Sequence, residues 1–111
     1  MKKLLLLVLV GFLSSSFIYS QNWELINSNT NRDLNSVHFP SESIGYIAGQ
    51  YGTILKTTDG GNSWNTLETG IDKTLESIYF IDSQTGVCVG DYSKIIKTTD
   101  GGQTWTEKMS V

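Results

Sequence analysis

The sequence predicts an all-β protein made of four-stranded antiparallel sheets that repeat every 41 residues. Tryptophan recurs at that interval, as Trp23, Trp64 and Trp105. The units 23–63 and 64–104 align without a gap and are identical at 14 of 41 positions, and such self-similarity marks a repeat architecture. Within each unit, short segments rich in β-branched and aromatic residues alternate with turn residues at roughly eight-to-twelve-residue spacing, which is typical of hairpins.

Each unit divides into four predicted strands. Those of the first unit are Leu34–Phe39, Tyr46–Gly49, Thr53–Thr57 and Trp64–Leu67. Those of the second unit are Leu75–Ile81, Gly86–Gly90, Lys94–Thr98 and Trp105–Met109. Runs such as Val87-Cys88-Val89 are apolar on consecutive residues, which predicts that both faces of each sheet are covered. Four-stranded sheets of about 40 residues, covered on both faces, are the blades of a β-propeller.

About two blades are present, with a third unit beginning at Trp105. Rings have typically four to eight blades, so the predicted ring is incomplete. Trp23 is expected to begin a fourth strand whose blade lacks its first three strands. The remaining blades are expected in a longer chain or in other copies of this chain. We favour the longer chain, because the sequence stops at about the fourth strand without a capping segment.

The first 20 residues predict a secretory signal peptide. Two lysines precede an apolar run from Leu4 to Leu13, and small residues follow, which is the order found in signal peptides. A spanning helix needs roughly 20 apolar residues, so the run is too short for a permanent membrane anchor. The single cysteine, Cys88, is far from where a lipid-anchor signal would use it. We expect residues 21–111 to be secreted, periplasmic or at the cell surface.

Composition argues against nucleic acid as a partner. Eight basic and eleven acidic residues give a net charge of −3, and without residues 1–20 the balance is −5. Phosphate binding needs clustered Lys and Arg, and Arg32 is the only arginine.

One cysteine cannot form an internal disulfide. The repeat aligns Cys88 with Ile47, which predicts a small core residue.

The stretch TTDGGNSW at residues 57–64 returns as TTDGGQTW at residues 98–105. It lies between the third and fourth predicted strands, so it must turn the chain. The glycines supply positive φ, the Asp carboxylate can accept hydrogen bonds from backbone N–H groups, and the hydroxyls can pair with nearby main chain. The tryptophan can bury about 150–250 Å². These residues predict a structural turn.

This stretch resembles the Asp box of BNR repeats, [Ser/Thr]-x-Asp-x-Gly-x-[Ser/Thr]-Trp. Both copies match at every defined position: Thr57, Asp59, Gly61, Ser63 and Trp64, then Thr98, Asp100, Gly102, Thr104 and Trp105. The wider unit, with LxS(V/I)xF, G(Y/V)xxG and I(L/I)KTTDGG, is similar to repeats of photosystem II stability/assembly factor-like proteins over residues 22–111. The resemblance implies a propeller whose box is a peripheral structural turn, and it implies an assembly role. It extends more distantly to sialidase propellers.

No catalytic or metal-binding constellation is predicted. The resemblance to sialidases implies a cluster of three arginines, and Arg32 stands alone. Asp59 and Asp100 are equivalents one blade apart, whereas glycosidase carboxylates converge on one bond. Each box offers one carboxylate, too few oxygen ligands for calcium. His38, aligned with Tyr79, is most simply a half-exposed strand residue. We expect no enzyme activity, metal or cofactor from this chain alone.

A possible binding face is predicted from recurrence. Tyr51 and Tyr92 follow glycine in the turn before the third strand, and Lys56 and Lys97 recur on that strand. Recurrence of lysines in a repeat more often reflects a shared solvated edge. The sequence therefore predicts a non-catalytic scaffold that binds a protein. In the relatives a basic patch meets the client protein, and this acidic chain departs from that pattern. The alternative is an N-terminal fragment of a sialidase-like glycoside hydrolase or carbohydrate-binding protein.

Overall fold

The computed structural model describes residues 2–8 and 22–108 and contains two four-stranded antiparallel sheets. The first sheet consists of β3 (Leu34–His38), β4 (Gly45–Gly49), β5 (Ile54–Thr57) and β6 (Asn65–Leu67). The second consists of β7 (Leu75–Phe80), β8 (Gly86–Gly90), β9 (Lys94–Thr98) and β10 (Thr106–Lys108). Spatial order follows chain order in both sheets, because hairpins connect successive strands. The all-β fold and the blade-like sheets predicted from the sequence are confirmed.

The predicted strand bounds agree with these elements to within one or two residues. The two sheets also share a local irregularity. The register of strand pairing shifts between Leu34 and Ser36 in the first sheet and between Leu75 and Ser77 in the second. Met109, the predicted end of the last strand, lies outside the described residues.

A separate antiparallel pair joins β1 (Lys2–Val8) to β2 (Asn22–Thr30). Trp23, expected in a fourth strand of a preceding blade, lies in β2 and pairs with β1. Of the predicted signal peptide, residues 1–20, only β1 belongs to the described residues. Within residues 2–8 and 22–108, no helix is long and apolar enough to cross a membrane.

The main core lies between the two sheets. The ring of Tyr46 on β4 stacks on Phe80 of β7, with centroids 3.7 Å apart and planes 4° from parallel. Trp105 meets the edge of Phe80 at 6.1 Å. Around these rings pack buried aliphatic side chains from both sheets, among them Ile54 and Ile96. Burying such aromatic area stabilises the packing of the two sheets.

Polar contacts fix how the sheets face each other. The backbone N–H of Ile78 donates to Ser36 Oγ at 3.2 Å, and that of Phe80 donates to His38 Nδ1 at 3.1 Å. Both donors lie on β7, the edge strand of the second sheet. The first sheet thus satisfies backbone groups that an uncovered edge would leave to solvent.

A second, smaller core lies on the far face of the first sheet. Ile47, Leu55 and Trp64 are buried there, and Ile26 of β2 packs against them. Phe39 meets the edge of Trp64 at 5.8 Å. This repeats, one unit earlier, the edge contact between Phe80 and Trp105.

Coverage of both faces holds for the first sheet only. All five residues of β4 are buried, whereas β8 alternates and leaves Val87 and Val89 38% and 39% exposed. The expectation that the second sheet is covered on both faces is therefore not met in this structure. The reason is that its outer face has no neighbouring sheet among the described residues.

Tyr46→Phe tests the inter-sheet contact. The Tyr46 hydroxyl lies 2.9 Å from the carbonyl oxygen of Ser83 and 3.1 Å from that of Gly101, and burial raises its pKa to about 12. Removing the hydroxyl keeps the stacked ring and leaves the carbonyl groups underpaired, so the free energy of unfolding should fall by about 1–2 kcal/mol. Urea denaturation measures it. The control Tyr79→Phe, on a residue 60% exposed, should change it by less than about 0.5 kcal/mol; equal losses in both variants would contradict this role.

Candidate functional site

The first box turn is closed by its own side chains. Thr57 Oγ1 donates to Asp59 Oδ1 at 2.7 Å and accepts from the Gly61 N–H at 2.9 Å. The Ser63 N–H donates to Asp59 Oδ1 at 2.9 Å, and the Ser63 hydroxyl donates to Oδ2. Trp64 Nε1 donates to the Gly61 carbonyl at 3.0 Å, which holds the buried ring against the turn. Both carboxylate oxygens therefore already have partners.

The second turn repeats these bonds. Asp100 Oδ1 accepts from Thr98 Oγ1 at 2.8 Å and from the Thr104 N–H at 2.9 Å, and Trp105 Nε1 donates to Gly102 at 3.0 Å. Hydrogen bonds from the Ser63 and Thr104 hydroxyls, supported by backbone N–H groups, lower the pKa of each box carboxyl to about 2. In both turns the box residues bond to one another, and their structural role stays a prediction that the following experiment tests.

The box carboxylates should give the protein an acid-sensitive stability. Because the folded pKa of about 2 lies below the ordinary 3.8, the charged form stabilises the fold above about pH 4, and this contribution is lost as pH falls towards 2. The melting temperature should therefore drop in that window.

The double variant Asp59→Asn, Asp100→Asn should melt lower at pH 7 and show a shallower drop in acid. Thermal melts followed by circular dichroism between pH 2 and pH 7 measure both. Glu76→Gln, an exposed carboxylate on β7, is the control and should keep the wild-type profile. An unchanged profile in the double variant would contradict the role of the box.

The predicted binding-face lysines lie apart from the predicted tyrosines. Lys56 is near the box end of β5, where its Nζ donates to the Gly101 carbonyl at 3.1 Å and lies 5.4 Å from the Tyr46 ring centroid. It therefore bridges the two sheets. Lys97 is exposed on β9. Tyr51 lies at the opposite end of β5, before its first residue.

Tyr51 and Tyr92 occupy equivalent turns and share an unusual backbone. Their φ angles are +54° and +57°, in the left-handed region where a bulky side chain costs roughly 1–2 kcal/mol. Their side chains are 63% and 82% exposed, so little burial offsets this cost. Strained, exposed residues concentrate at functional sites.

A basic side chain covers each of these tyrosines. The Arg32 guanidinium lies 5.3 Å from the Tyr51 ring centroid, and Lys73 Nζ lies 5.1 Å from that of Tyr92. Arg32 and Lys73 are themselves 41 residues apart, so the repeat reproduces the whole cation–π pair. Such pairs contribute about 0.5–1 kcal/mol at exposed sites.

Arg32 is anchored by one nitrogen. Its Nη1 donates to the Tyr51 carbonyl at 3.3 Å and to Thr53 Oγ1 at 3.1 Å. Among the described residues, no hydrogen bond engages its Nη2 or Nε.

The turn that contains Tyr51 is hydrogen-bonded to the connection between the two sheets. The Gly52 N–H donates to the Lys73 carbonyl at 2.7 Å, and Thr69 Oγ1 donates to the Gly52 carbonyl at 2.8 Å. Gly52 has φ of +68°, and a Cβ there would lie 1.9 Å from the Ile71 carbonyl oxygen. Only glycine fits this approach. We call the turns at residues 50–53 and 91–93, with the connection at residues 68–74 and the paired cations, the loop face.

A groove of about 600 Å³ opens on the loop face. Its lining comprises residues 29–32, 51–53 and 66–71. The volume is within the range of small-ligand sites, about 300–1,000 Å³.

The structure thus joins the two predicted tyrosines to basic residues that the sequence interpretation missed. Arg32 and Lys73 are not identical, so a search for identical positions passes over them. Their shared charge at the 41-residue interval is the signal that could have found them.

Other titratable groups do not form a site here. Cys88 is fully buried, and desolvation raises its pKa to about 12, as suits a core residue. His38 accepts a backbone hydrogen bond and contacts the Tyr79 ring at 4.5 Å. Within residues 2–8 and 22–108, no cluster of three His, Cys, Asp or Glu side chains could hold a metal ion.

Consecutive four-stranded sheets closed by matching box turns define a BNR-type, Asp-box β-propeller. The family model described as photosynthesis system II assembly factor YCF48 matches residues 15–69 and 62–111. The chain belongs to this family. A comparison with curated proteins finds no match.

Two solved structures share the fold. A YCF48 bound to a D1 peptide aligns with a TM-score of 0.72 and 28% identity, over 80% of this chain and 30% of the other. YCF48 from Cyanidioschyzon merolae aligns with a TM-score of 0.69 and 20% identity, over 78% of this chain and 29% of the other. The chain therefore spans less than a third of these structures.

Proposed function

We propose that this chain is part of a non-catalytic propeller scaffold and that it binds a protein segment at the loop face. The proposal rests on a repeated pair. In each unit an exposed tyrosine, Tyr51 or Tyr92, has a left-handed backbone conformation and lies beneath a basic side chain. Packing does not account for Tyr51 and Tyr92, since most of each side chain is in solvent. A binding role does account for keeping a bulky residue where glycine would be less strained.

The chemistry of the loop face suits a peptide. Tyrosine offers a flat apolar ring with a polar tip, and the Arg32 guanidinium can form charge-assisted hydrogen bonds to carboxylates or carbonyls. The chain is acidic overall, yet the basic residues Arg32 and Lys73 lie beside the exposed tyrosine rings. We therefore expect a segment that carries a carboxylate, either in a side chain or at its C-terminus.

The comparisons support a protein partner. The neighbour at 28% identity is a YCF48 bound to a D1 peptide, and the family is described as an assembly factor. These descriptions favour a scaffold over an enzyme. Binding of a D1-type peptide by this chain is part of the proposal.

A sialidase-like or carbohydrate-binding fragment is the alternative function. A sialidase site would need arginines from blades other than these two, because this chain supplies Arg32 alone. No contact among the described residues favours sugar over peptide. An extended reading frame that encodes an arginine cluster would favour the enzyme.

Binding of a fluorescently labelled D1 peptide, followed by anisotropy, tests the proposed function. Tyr51→Gly and Tyr92→Gly should each weaken binding at least about tenfold, or 1.4 kcal/mol. Each should leave the free energy of unfolding within about 1 kcal/mol of wild type, because relief of strain offsets the lost cation–π contact and the added backbone entropy.

Ser93→Gly is the matched control. Ser93 lies in the same turn as Tyr92 with φ of +58°, so the change relieves strain without removing an aromatic ring and should leave binding unchanged. Wild-type affinity in both Tyr51→Gly and Tyr92→Gly would refute the loop face as the site. A wild-type protein that does not bind the D1 peptide would refute the proposed ligand.

We further propose that residues 1–20 direct export and are then removed. The basic start and short apolar run support this proposal. Removal would separate β2 from β1 while retaining Ile26, which packs on the far core of the first sheet.

Mass spectrometry of the protein from the periplasm or medium of an expressing bacterium tests the proposed cleavage. We expect a chain that begins at Gln21. Replacing Leu6 and Leu7 by Asp should block export, because it interrupts the apolar run, whereas replacing them by Ile should not. Recovery of the intact chain, beginning at Met1, from the exported fraction would contradict the proposal.

A further inference from the structure

The connection between the two sheets repeats the connection that precedes the first sheet. Gly70 aligns with Asn29, and Lys73 aligns with Arg32, at the 41-residue interval. Gly70 and Asn29 share a left-handed backbone, with φ of +72° and +60°. Lys73 and Arg32 each lie over a tyrosine ring. Each connection therefore delivers one basic side chain to the tyrosine turn of the sheet that follows it.

The second connection also bonds to the tyrosine turn of the sheet before it. The Gly52 N–H donates to the Lys73 carbonyl at 2.7 Å, and Thr69 Oγ1 donates to the Gly52 carbonyl at 2.8 Å. Thr69 Oγ1 also accepts the Ile71 N–H at 3.2 Å. One hydroxyl therefore ties the connection to the turn and also fixes the shape of the connection itself.

The connection thus lies between the two tyrosines. Its backbone holds the turn that contains Tyr51, and Lys73 Nζ lies 5.1 Å from the Tyr92 ring centroid. The ion pair of Lys73 with Asp72 is a weak anchor, since its atoms are 3.7 Å apart and the Asp72 side chain is 86% exposed. The backbone bond to Gly52 is the firmer anchor for Lys73.

We propose that Thr69 is a positioning residue that couples the two tyrosines into one site for a single protein segment. The inference rests on the proposed binding at the loop face and deepens it. Thr69 holds the connection against Gly52, and the connection places Lys73. Lys73 in turn covers Tyr92. A segment that binds on Tyr51 therefore meets a second aromatic pair whose position is set by the same turn.

Replacing Thr69 by valine tests the positioning role, because valine removes the hydroxyl and keeps the branched shape. Thr69→Val should weaken binding of the labelled D1 peptide at least about threefold, the effect of losing one hydrogen bond. Thr69→Ser should retain wild-type affinity. Thr58→Val is the matched control, since Thr58 is exposed in the first box turn at the other end of β5, and it should leave affinity unchanged.

A double-mutant cycle tests the coupling. In the Tyr92→Gly background, Thr69→Val should weaken binding by a smaller factor than in the wild type, because Thr69 acts through the pair that this background lacks. Equal factors in the two backgrounds would overturn the coupling.

A spectroscopic readout in the free protein separates this inference from the proposed function. The ring current of Tyr92 shifts the proton NMR signals of the Lys73 ε-methylene group, and Tyr92→Gly identifies that shift by removing it. The shift should shrink in Thr69→Val and return in Thr69→Ser. If the D1 peptide does not bind and the shift still depends on Thr69, the proposed function fails and the positioning role stands. An unchanged shift in folded Thr69→Val overturns the positioning role, even where the wild type binds the peptide.

Gly52→Ala breaks the same contact from the other side. A Cβ at Gly52 would lie 1.9 Å from the Ile71 carbonyl oxygen, whereas a Cβ at Gly70 has open space among the described residues. Both glycines are left-handed, so both alanine substitutions carry similar strain. Gly52→Ala should reduce the Lys73 shift and the peptide affinity, and the matched control Gly70→Ala should keep both. Equal effects of the two substitutions would assign the loss to strain and overturn the role of the contact.

Discussion

The stack of Tyr46 on Phe80 is the contact on which the rest of the structure depends. The two rings lie nearly parallel in the main core, and the Tyr46 hydroxyl reaches carbonyl groups in two turns of the second sheet. Together with the hydrogen bonds from Ile78 and Phe80 to Ser36 and His38, this side chain fixes how the two sheets face each other. A small sheet cannot bury its own faces, so each unit is stable only against a neighbour. The same constraint explains why the face of the second sheet without such a neighbour remains apolar.

The two ends of each sheet, the box turn at one and the loop face at the other, differ in their chemistry. At one end, the box turns use their own hydroxyls and carboxylates to complete their hydrogen bonds, and a tryptophan seals each turn against the core. At the other end, exposed tyrosines lie under basic side chains in strained turns, and Arg32 donates to the Tyr51 carbonyl. The Asp59 carboxylate therefore bonds within its own turn, whereas Arg32 and Lys73 lie at the candidate site.

Much of the fold could be predicted from the sequence, because repetition supplies an internal alignment. The interval between tryptophans located the units, and glycine-bounded apolar segments located strands such as Gly86–Gly90 and Lys94–Thr98, whose bounds the structure confirms. The candidate site was harder to predict from the sequence. Lys56 recurs with Lys97, yet the first joins the sheets and the second faces solvent. Recurrence identifies equivalent positions, and equivalent positions differ in environment when only one has a neighbouring sheet.

The sequence by itself determined the repeat, the strand order and the residues of the box turn, since each depends on interactions within a few residues along the chain. Which basic residue covers which tyrosine, and which sheet faces pack together, became clear only in the tertiary structure. These features depend on side chains that meet across turns and between sheets. Arg32 reaches Tyr51 across 19 residues of sequence. No local pattern encodes that contact, which follows from the pairing of β3 with β4 in the first sheet.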